Sequence, residues 1–217
     1  TGIFLLGGLQ GAMGWYMVQS GLIDDPRVSP LRLTAHLGLA FVIFAAMFWV
    51  ALSLVSARYW RASDAAQRRV RRLAHAVALL VFAMVLTGGL VAGIRAGLAY
   101  NTFPLMNGSL VPAEIMSIEP WWKNFAYNMA TVQFNHRFLA FLLAMAVPLL
   151  WWTLRRTAGV PWRARRGGDM LLGLLGLQIA LGIATLLLTV PLVLAAAHQA
   201  GAVLVLAAAL HVAHALR

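Results

Sequence analysis

The stretch from residue 128 to residue 153 reads NMATVQFNHRFLAFLLAMAVPLLWWT, which is long and apolar enough to cross a lipid bilayer as one helix. Its first half contains Asn135, His136 and Arg137 side by side. Ionisable side chains are energetically expensive inside a membrane, and where they occur they usually face a partner or a ligand. The polar cluster is therefore a candidate site within a membrane protein.

The composition of the whole chain is that of an integral membrane protein. Of its 217 residues, 62% are hydrophobic and 11% are charged, and the mean hydropathy is +0.81. The net charge of +11 does not indicate nucleic-acid binding, because the basic residues lie in short runs between apolar segments. There is no cysteine, which leaves histidine as the strong ligand type for a transition metal. The expected surroundings are the lipid bilayer.

Six windows are long enough to span a bilayer, and each is predicted to be a transmembrane helix. They cover residues 2–20, 31–55, 72–94, 128–153, 169–190 and 192–216. The predicted fold class is therefore an all-α polytopic membrane protein.

The connections between the predicted helices differ in charge. The connection at 21–30 carries Asp24 and Asp25 with only one arginine, whereas the next connection carries six arginines from Arg58 onward. The connection at 155–166 is again arginine-rich. The positive-inside rule places the arginine-rich connections, and with them the C-terminus, in the cytoplasm.

A short pattern recurs in the chain. LQGAMG at 9–14 matches LQIALG at 177–182, and each is followed by a helix with an Ala-His pair near its start, at 35–36 and 197–198. The two copies are four helices apart, so they run in the same direction and predict two parallel four-helix repeats. Gln10 and Gln178 are equivalent in these copies, and hydrogen bonding between helices is the default interpretation of such deep amides.

The repeat divides the chain into three parts. Residues 73–217 form a complete four-helix repeat, residues 1–55 form the second half of another, and residues 56–72 are a basic cytoplasmic connection. Two further helices are expected before residue 1.

The six histidines separate by their depth in the predicted helices. Three lie within about the first ten residues of helices that enter from the outer side, roughly 5–15 Å below the outer interface. They are His36, His136 and His198. The other three lie at cytoplasmic helix ends, where a cationic side chain suits the helix C-terminus or the interface. They are His75, His211 and His214.

His136 and His198 are candidate ligands of a haem iron. Their helices are two places apart in an up-down bundle, hence parallel and diagonal, so the two imidazoles can converge on one central site. Two facing neutral imidazoles suit a bis-histidine haem, whereas a zinc site usually has three or four ligands close together. Arg137 and Arg95 could pair with haem propionates or reach toward lipid headgroups. Histidines hydrogen-bonded inside a bundle remain the alternative to a cofactor site.

Several segments resemble the haem A synthase family of the mitochondrial and proteobacterial type. They are AGLAYNTFPLMNG at 96–108, FNHR at 134–137, AHQ at 197–199, TAHLG at 34–38 and the helix of Gln10. The resemblance covers essentially the whole chain, and NTFPLM is its most specific part. The family has eight transmembrane helices in two four-helix halves, which implies the same two additional helices as the repeat.

The resemblance implies an oxidoreductase that converts the C8 methyl group of haem O into the formyl group of haem A, which serves terminal oxidases. It implies that His136 and His198 ligate a haem b that passes electrons, and that His36 is one of two histidines in the half that holds the substrate haem. In the family, the partner of His36 and a glutamate proposed to be catalytic lie in a helix outside this chain. The counterpart of that glutamate in the second half is Gln133, which cannot act as a carboxylate base.

The resemblance also implies a setting and partners. The setting is the cytoplasmic membrane of a bacterium. The charge pattern, rather than the resemblance, predicts that the haem layer lies toward the outer face. The partners are the enzyme that supplies haem O, an electron acceptor of unassigned identity and, in a homo-oligomer, further copies of the chain. Two other functions stay open on the residues alone. One is a di-haem cytochrome b-type electron-transfer protein of the quinol oxidoreductase kind, which does not modify haem; the other is a repeat-built transporter.

Overall fold

The computed structural model describes residues 2–19, 27–56 and 60–217, and its regular secondary structure is helical. Asp24, Asp25 and Arg58, on which the predicted topology partly rests, lie outside the described residues. The helices are α1 (Gly2–Val18), α2 (Pro30–Val55), α3 (Ala65–Gly93), α4 (Asn124–Tyr127), α5 (Met129–Arg156), α6 (Trp162–Leu187) and α7 (Leu192–Ala215). Short 3₁₀ turns lie at Ala96–Leu98 and Trp121–Lys123.

Five of these helices are long and apolar enough to cross a membrane. They are α2, α3, α5, α6 and α7, with lengths of 24 to 29 residues, and α1 is a shorter apolar helix. An all-α polytopic membrane protein is therefore confirmed.

Two helices begin earlier than their apolar windows predicted. Helix α3 begins at Ala65 because the side chain of Asp64 accepts a hydrogen bond from the backbone N–H of Gln67 at 2.8 Å, which caps the helix. Helix α6 begins directly after Pro161. A hydropathy window detects only the apolar part of a helix, so the polar first turns of α3 and α6 were predicted as connections. Much of the arginine-rich sequence therefore lies on helical extensions.

Four helices form a closed bundle. Helix α3 packs against α5 and α7, and α6 packs against the same two helices. Helices α5 and α7 are therefore diagonal, as the up-down connectivity predicts. Helix α2 packs outside the bundle against α3 and α7, and α1 packs against α2.

The apolar core lies toward the arginine-rich end of the bundle. Its side chains come from the first two thirds of α3, the second halves of α5 and α7, and the first half of α6. Among the most buried are Val70, Ala74, Val77, Leu150, Leu154, Leu171, Ala209 and Val212. Toward the other end, the facing positions of α6 and α7 are mostly only partly buried. The dense core and the less densely packed end thus occupy opposite ends of the same helices.

The segment between α3 and α5 is held by two asparagines. Asn124 is fully buried, and its side-chain amide donates to the carbonyls of Ile118 at 2.7 Å and Trp121 at 2.8 Å. Asn128 donates to the carbonyl of Glu114 at 2.8 Å and caps α5 by accepting from the N–H of Thr131. These bonds attach the long segment to the start of the helix that carries His136.

Gly93 sets the closest approach of α2 and α3, and we expect Gly93→Ala to destabilise the protein. The added Cβ would lie 2.9 Å from both Cα and Cβ of Pro30, so the backbones must separate. Overpacking of this kind costs about 1–3 kcal/mol. Thermal unfolding in detergent measures the effect as a lower Tm. The matched control is Gly173→Ala on α6, where no described atom lies within 4 Å of the added Cβ. Equal Tm values for the two variants would contradict this packing account.

Candidate functional site

Three histidines lie at one level, near the end of the bundle opposite its arginine-rich end. His36 is the seventh residue of α2, His136 the eighth of α5 and His198 the seventh of α7. The segment between α3 and α5 joins the end of α3 to the start of α5. Gly93, the last residue of α3, lies against Pro30, the first residue of α2, so α2 begins at this same end. Helix α7 runs parallel to α5 in the up-down bundle and therefore begins there too. The helices therefore place the three imidazoles in one layer.

His136 contacts α3 through its ring. The Nδ1 atom lies 2.9 Å from the hydroxyl oxygen of Thr87. A Cβ on Gly88 would lie 3.4 Å from Cε1 of the imidazole, so the glycine allows the ring to lie close to the helix backbone. No described residue forms a hydrogen bond with Nε2.

His198 is held against α6. The side-chain amide of Gln178 donates to the backbone carbonyl of His198 at 2.7 Å. A Cβ on Gly182 would lie 2.8 Å from Cε1 of the imidazole, and a Cβ on Gly201 would collide with Oε1 of Gln178. Both glycines are therefore needed for this contact. The Nδ1 atom of His198 is buried and has no hydrogen-bond partner among the described residues.

His36 is held against α1 in the same way. The side-chain amide of Gln10 donates to the backbone carbonyl of His36 at 3.2 Å, and its nitrogen lies 3.3 Å from Nε2 of the ring. A Cβ on Gly14 would lie 3.1 Å from Cε1 of the imidazole. The glutamine, the glycine four residues later and the histidine of the next helix therefore form the same arrangement in α1–α2 and in α6–α7. The repeated sequence pattern corresponds to a repeated structure around an imidazole.

Arg137 fastens the segment between α3 and α5 to the layer of histidines. Its guanidinium donates to the backbone carbonyl of Tyr100 at 2.8 Å and approaches those of Pro104 and Leu105 at 3.4 Å. It also donates to Oε1 of Gln133 at 3.1 Å. Arg137 therefore binds the most distinctive part of the segment through backbone oxygens.

Gln133 and Arg95 lie at the same end of the bundle as Arg137. Gln133 is buried and donates through its amide to the carbonyl of Ala96 at 2.9 Å, while its oxygen accepts from Arg137. Arg95 is exposed and adopts the left-handed conformation, with φ of 55°, between α3 and the following 3₁₀ turn. Its charge lies at the same end of the bundle as the three histidines.

Tyr100 and Glu114 pair outside the membrane-spanning helices. The phenol of Tyr100 donates to a carboxylate oxygen of Glu114 at 3.1 Å. Partial burial, followed by this hydrogen bond and the charge of Glu114, raises the pKa of Tyr100 above its ordinary value. The phenol therefore stays a neutral donor at physiological pH.

The other three histidines belong to the arginine-rich end. The ring of His75 bonds the carbonyl of Arg71 at 2.8 Å, one turn earlier in α3. His214 is buried, lies 3.1 Å from the hydroxyl of Ser53 and packs edge-on against Trp49. His211 packs against Gly167. The structure therefore places these three away from the layer of His36, His136 and His198.

The comparisons with known proteins agree with one another. The sequence model of a family described as "Cytochrome oxidase assembly protein" matches residues 1–210. A protein named haem A synthase from Nitrosospira multiformis is 57% identical over 217 residues, which are 100% of this chain and 61% of that protein. One of the same name from Nitrosomonas eutropha is 54% identical over 212 residues, covering 97% and 59% of the two chains. A third, from Parvibaculum lavamentivorans, is 44% identical over 214 residues, covering 99% and 60%.

The chain belongs to the haem A synthase family of cytochrome oxidase assembly proteins. It spans about three fifths of the length of the curated relatives it matches. The family predicted from the sequence is thus confirmed.

The residues of this family member fit a haem better than a bare metal ion. Within the described residues, no group of three or more His, Cys, Asp or Glu side chains could hold a metal ion. Two imidazoles on diagonal helices, each lying against a glycine, match instead the two axial ligands of a haem. Nδ1 of His198 is buried without a hydrogen-bond partner among the described residues, so this ring has a nitrogen that a bound group can satisfy. The structure places the two histidines predicted as haem b ligands on diagonal helices, near the same end of the bundle, and their role stays a prediction.

Thr87 was missed by the sequence reasoning. A lone threonine in an apolar helix has no distinctive pattern, and the two residues that follow it, Gly88 and Gly89, are typical of simple helix packing. Of these two glycines, Gly88 faces His136 whereas Gly89 faces Thr34 and Leu37 of α2. The sequence signal that could have found Thr87 is a hydroxyl residue directly beside a glycine, at the depth of the three histidines.

We expect Arg137→Lys to loosen the segment at 99–110, because a lysine cannot reach several carbonyl oxygens with one planar group. Hydrogen bonds to a charged group contribute about 1.5–3 kcal/mol each, so amide hydrogen exchange in this segment should accelerate about tenfold or more. Exchange measured by mass spectrometry on the purified protein reports the change. Arg166→Lys, an exposed position at the opposite end, is the matched control. An unchanged exchange rate in Arg137→Lys would refute the attachment.

Proposed function

We propose that this chain is part of a haem A synthase that oxidises the C8 methyl group of haem O to the formyl group of haem A for terminal oxidases. The observation that supports this most strongly is the layer of His36, His136 and His198, with the Gln-Gly-His arrangement present on both sides of it. The names of the relatives point to the same activity.

In this proposal, α3, α5, α6 and α7 form the half that holds a resident haem b. His136 and His198 would hold this haem through their imidazoles. When bound, a haem supplies one-electron redox chemistry, which the protein tunes through its ligands. Gly88 and Gly182 hold the two rings close to α3 and α6 and so set the directions of the imidazoles.

Arg137 and Arg95 are the residues we assign to the propionates. Arg95 is exposed and can reach a carboxylate through its planar fork. Arg137 already binds backbone carbonyls, but its buried Nε has no hydrogen-bond partner among the described residues. A propionate would therefore meet Arg137 at Nε, while the other guanidinium nitrogens keep the segment at 100–105 in place.

The substrate haem is assigned to the half that includes α1 and α2. His36 is one of its ligands, and the second ligand and an acidic catalytic residue come from outside this chain. Gln133 occupies the position equivalent to that acid, and both ends of its amide are hydrogen-bonded, the nitrogen to Ala96 and the oxygen to Arg137. This bonding supports a structural role for Gln133 and a cofactor role for its half.

The orientation follows from charge. Arginine gathers at the end of the bundle opposite the histidines, so we assign that end and the C-terminus to the cytoplasm of a bacterium. The haem layer then lies toward the outer face. The proposal requires an enzyme that supplies haem O and an electron acceptor, and it is compatible with a homo-oligomer.

Pigment extraction from the full-length protein tests the proposed activity. With a haem O source co-expressed, we expect the wild type to yield haem b together with haem A or a hydroxylated haem O. His36→Ala should keep haem b and lose the oxidised products, because it removes only a ligand of the substrate half. His75→Ala, at the arginine-rich end, is the control and should match the wild type.

A di-haem cytochrome b-type electron-transfer protein is the second candidate. The similar surroundings of His36 and His198 favour it, since two equivalent sites suit two equivalent haems. It predicts haem b as the pigment of both halves. Haem b without haem O, haem A or a hydroxylated haem in the wild type would overturn the synthase proposal in favour of this one.

A further inference from the structure

We infer that Thr87 is a positioning residue that holds the proton of His136 on Nδ1 and so presents Nε2 as the ligand atom. This inference rests on the proposed function, in which His136 ligates a haem iron. It concerns a residue of α3 that is separate from both histidine helices.

The geometry limits where the hydroxyl proton of Thr87 can go. The hydroxyl oxygen lies 2.9 Å from the backbone carbonyl oxygen of Met84, one turn earlier in α3, and also 2.9 Å from Nδ1 of His136. The carbonyl can only accept. If the hydroxyl donates to the carbonyl, it must accept from an N–H at Nδ1, and both contacts are then hydrogen bonds.

The opposite arrangement satisfies fewer groups. If the hydroxyl donated to Nδ1, it would have no proton for the carbonyl of Met84, and one short contact would join two acceptors. Two acceptor oxygens 2.9 Å apart with no proton between them repel each other, so the first arrangement is the stable one. A neutral imidazole with its proton on Nδ1 has its lone pair on Nε2. No described residue forms a hydrogen bond with that Nε2.

Thr87 thereby distinguishes the two haem ligands. His136 has an acceptor for its Nδ1 proton, whereas Nδ1 of His198 is buried without a partner. An acceptor on the second ring nitrogen makes an imidazole a stronger electron donor to a metal. His136 is therefore the stronger of the two donors, and it favours the oxidised state of a bound iron. Gly88, one residue later, keeps the ring within reach of the hydroxyl.

Potentiometric titration of the purified full-length holoprotein tests this inference. Thr87→Val keeps the shape of the side chain and removes the acceptor. We expect the haem b to remain low-spin while the ratio of its ferric to ferrous affinity falls by up to about tenfold, which raises the midpoint potential by up to about 59 mV. Thr87→Ala, which removes the same hydroxyl with a smaller side chain, should shift the potential in the same direction. Thr87→Ser restores the hydroxyl and should restore the wild-type potential.

Thr153→Val is the matched control. Thr153 donates to the carbonyl three residues earlier in α5 at 2.8 Å, as Thr87 does in α3, but it has no histidine contact. A purely structural effect of losing such a hydroxyl would appear in both valine variants as a lower Tm, without a change of potential. We expect the wild-type potential in Thr153→Val.

The assignment of the haem ligands and the role of Thr87 are contradicted by different results. A wild-type protein without a low-spin haem b would overturn the ligand assignment and this inference together. A wild-type protein with a low-spin haem b, and hydroxyl-free Thr87 variants with unchanged potential and electron paramagnetic resonance spectrum, would overturn the role of Thr87 alone.

Discussion

The arrangement of this protein depends on the close contacts that hold three imidazoles against facing helices inside an apolar bundle. A polar ring is unfavourable in a membrane unless it meets a partner or a ligand, so the residues facing each histidine decide how it is accommodated. For His36 and His198 the facing helix provides a glutamine and a glycine, and for His136 it provides a threonine and a glycine. The glycine admits the ring, and the polar residue fixes either the histidine backbone or its ring nitrogen. A layer of three imidazoles results because α2, α5 and α7 begin at the same end of the bundle.

This layer lies away from the dense apolar core. The most buried leucines and valines gather toward the arginine-rich end, whereas the facing positions of α6 and α7 near the histidines are only partly buried. The packed core and the candidate site therefore lie at different ends of the same helices. The segment between α3 and α5 covers the histidine end and is fixed there by Asn124, Asn128 and Arg137. The polar cluster of Asn135, His136 and Arg137, which identified the candidate site, thus also holds this segment in place through Arg137.

Much of this could be predicted from the sequence because it depends on periodicity along single helices. The apolar windows gave the helices, and the repeated LQ-G pattern predicted that Gln10 and Gln178 have equivalent surroundings, as their bonds to the histidine carbonyls show. The starts of α3 and α6 were predicted too late, because capping by Asp64 and entry from Pro161 extend a helix beyond its apolar part. The contact of Thr87 with His136 depends on how α3 and α5 rotate against each other, which no pattern within one helix determines. The carbonyl partners of Arg137 depend in the same way on the path of a long segment.

The central claim is that His136 and His198, on the diagonal helices α5 and α7, are the two ligands of one haem. Low-temperature electron paramagnetic resonance of the oxidised full-length protein, compared between the wild type and alanine variants of single histidines, tests it most directly. We predict a low-spin bis-histidine haem b signal in the wild type, its loss in both His136→Ala and His198→Ala, and its survival in His214→Ala, where the buried histidine belongs to the arginine-rich end. An unchanged low-spin haem b signal in His136→Ala and in His198→Ala would contradict the account.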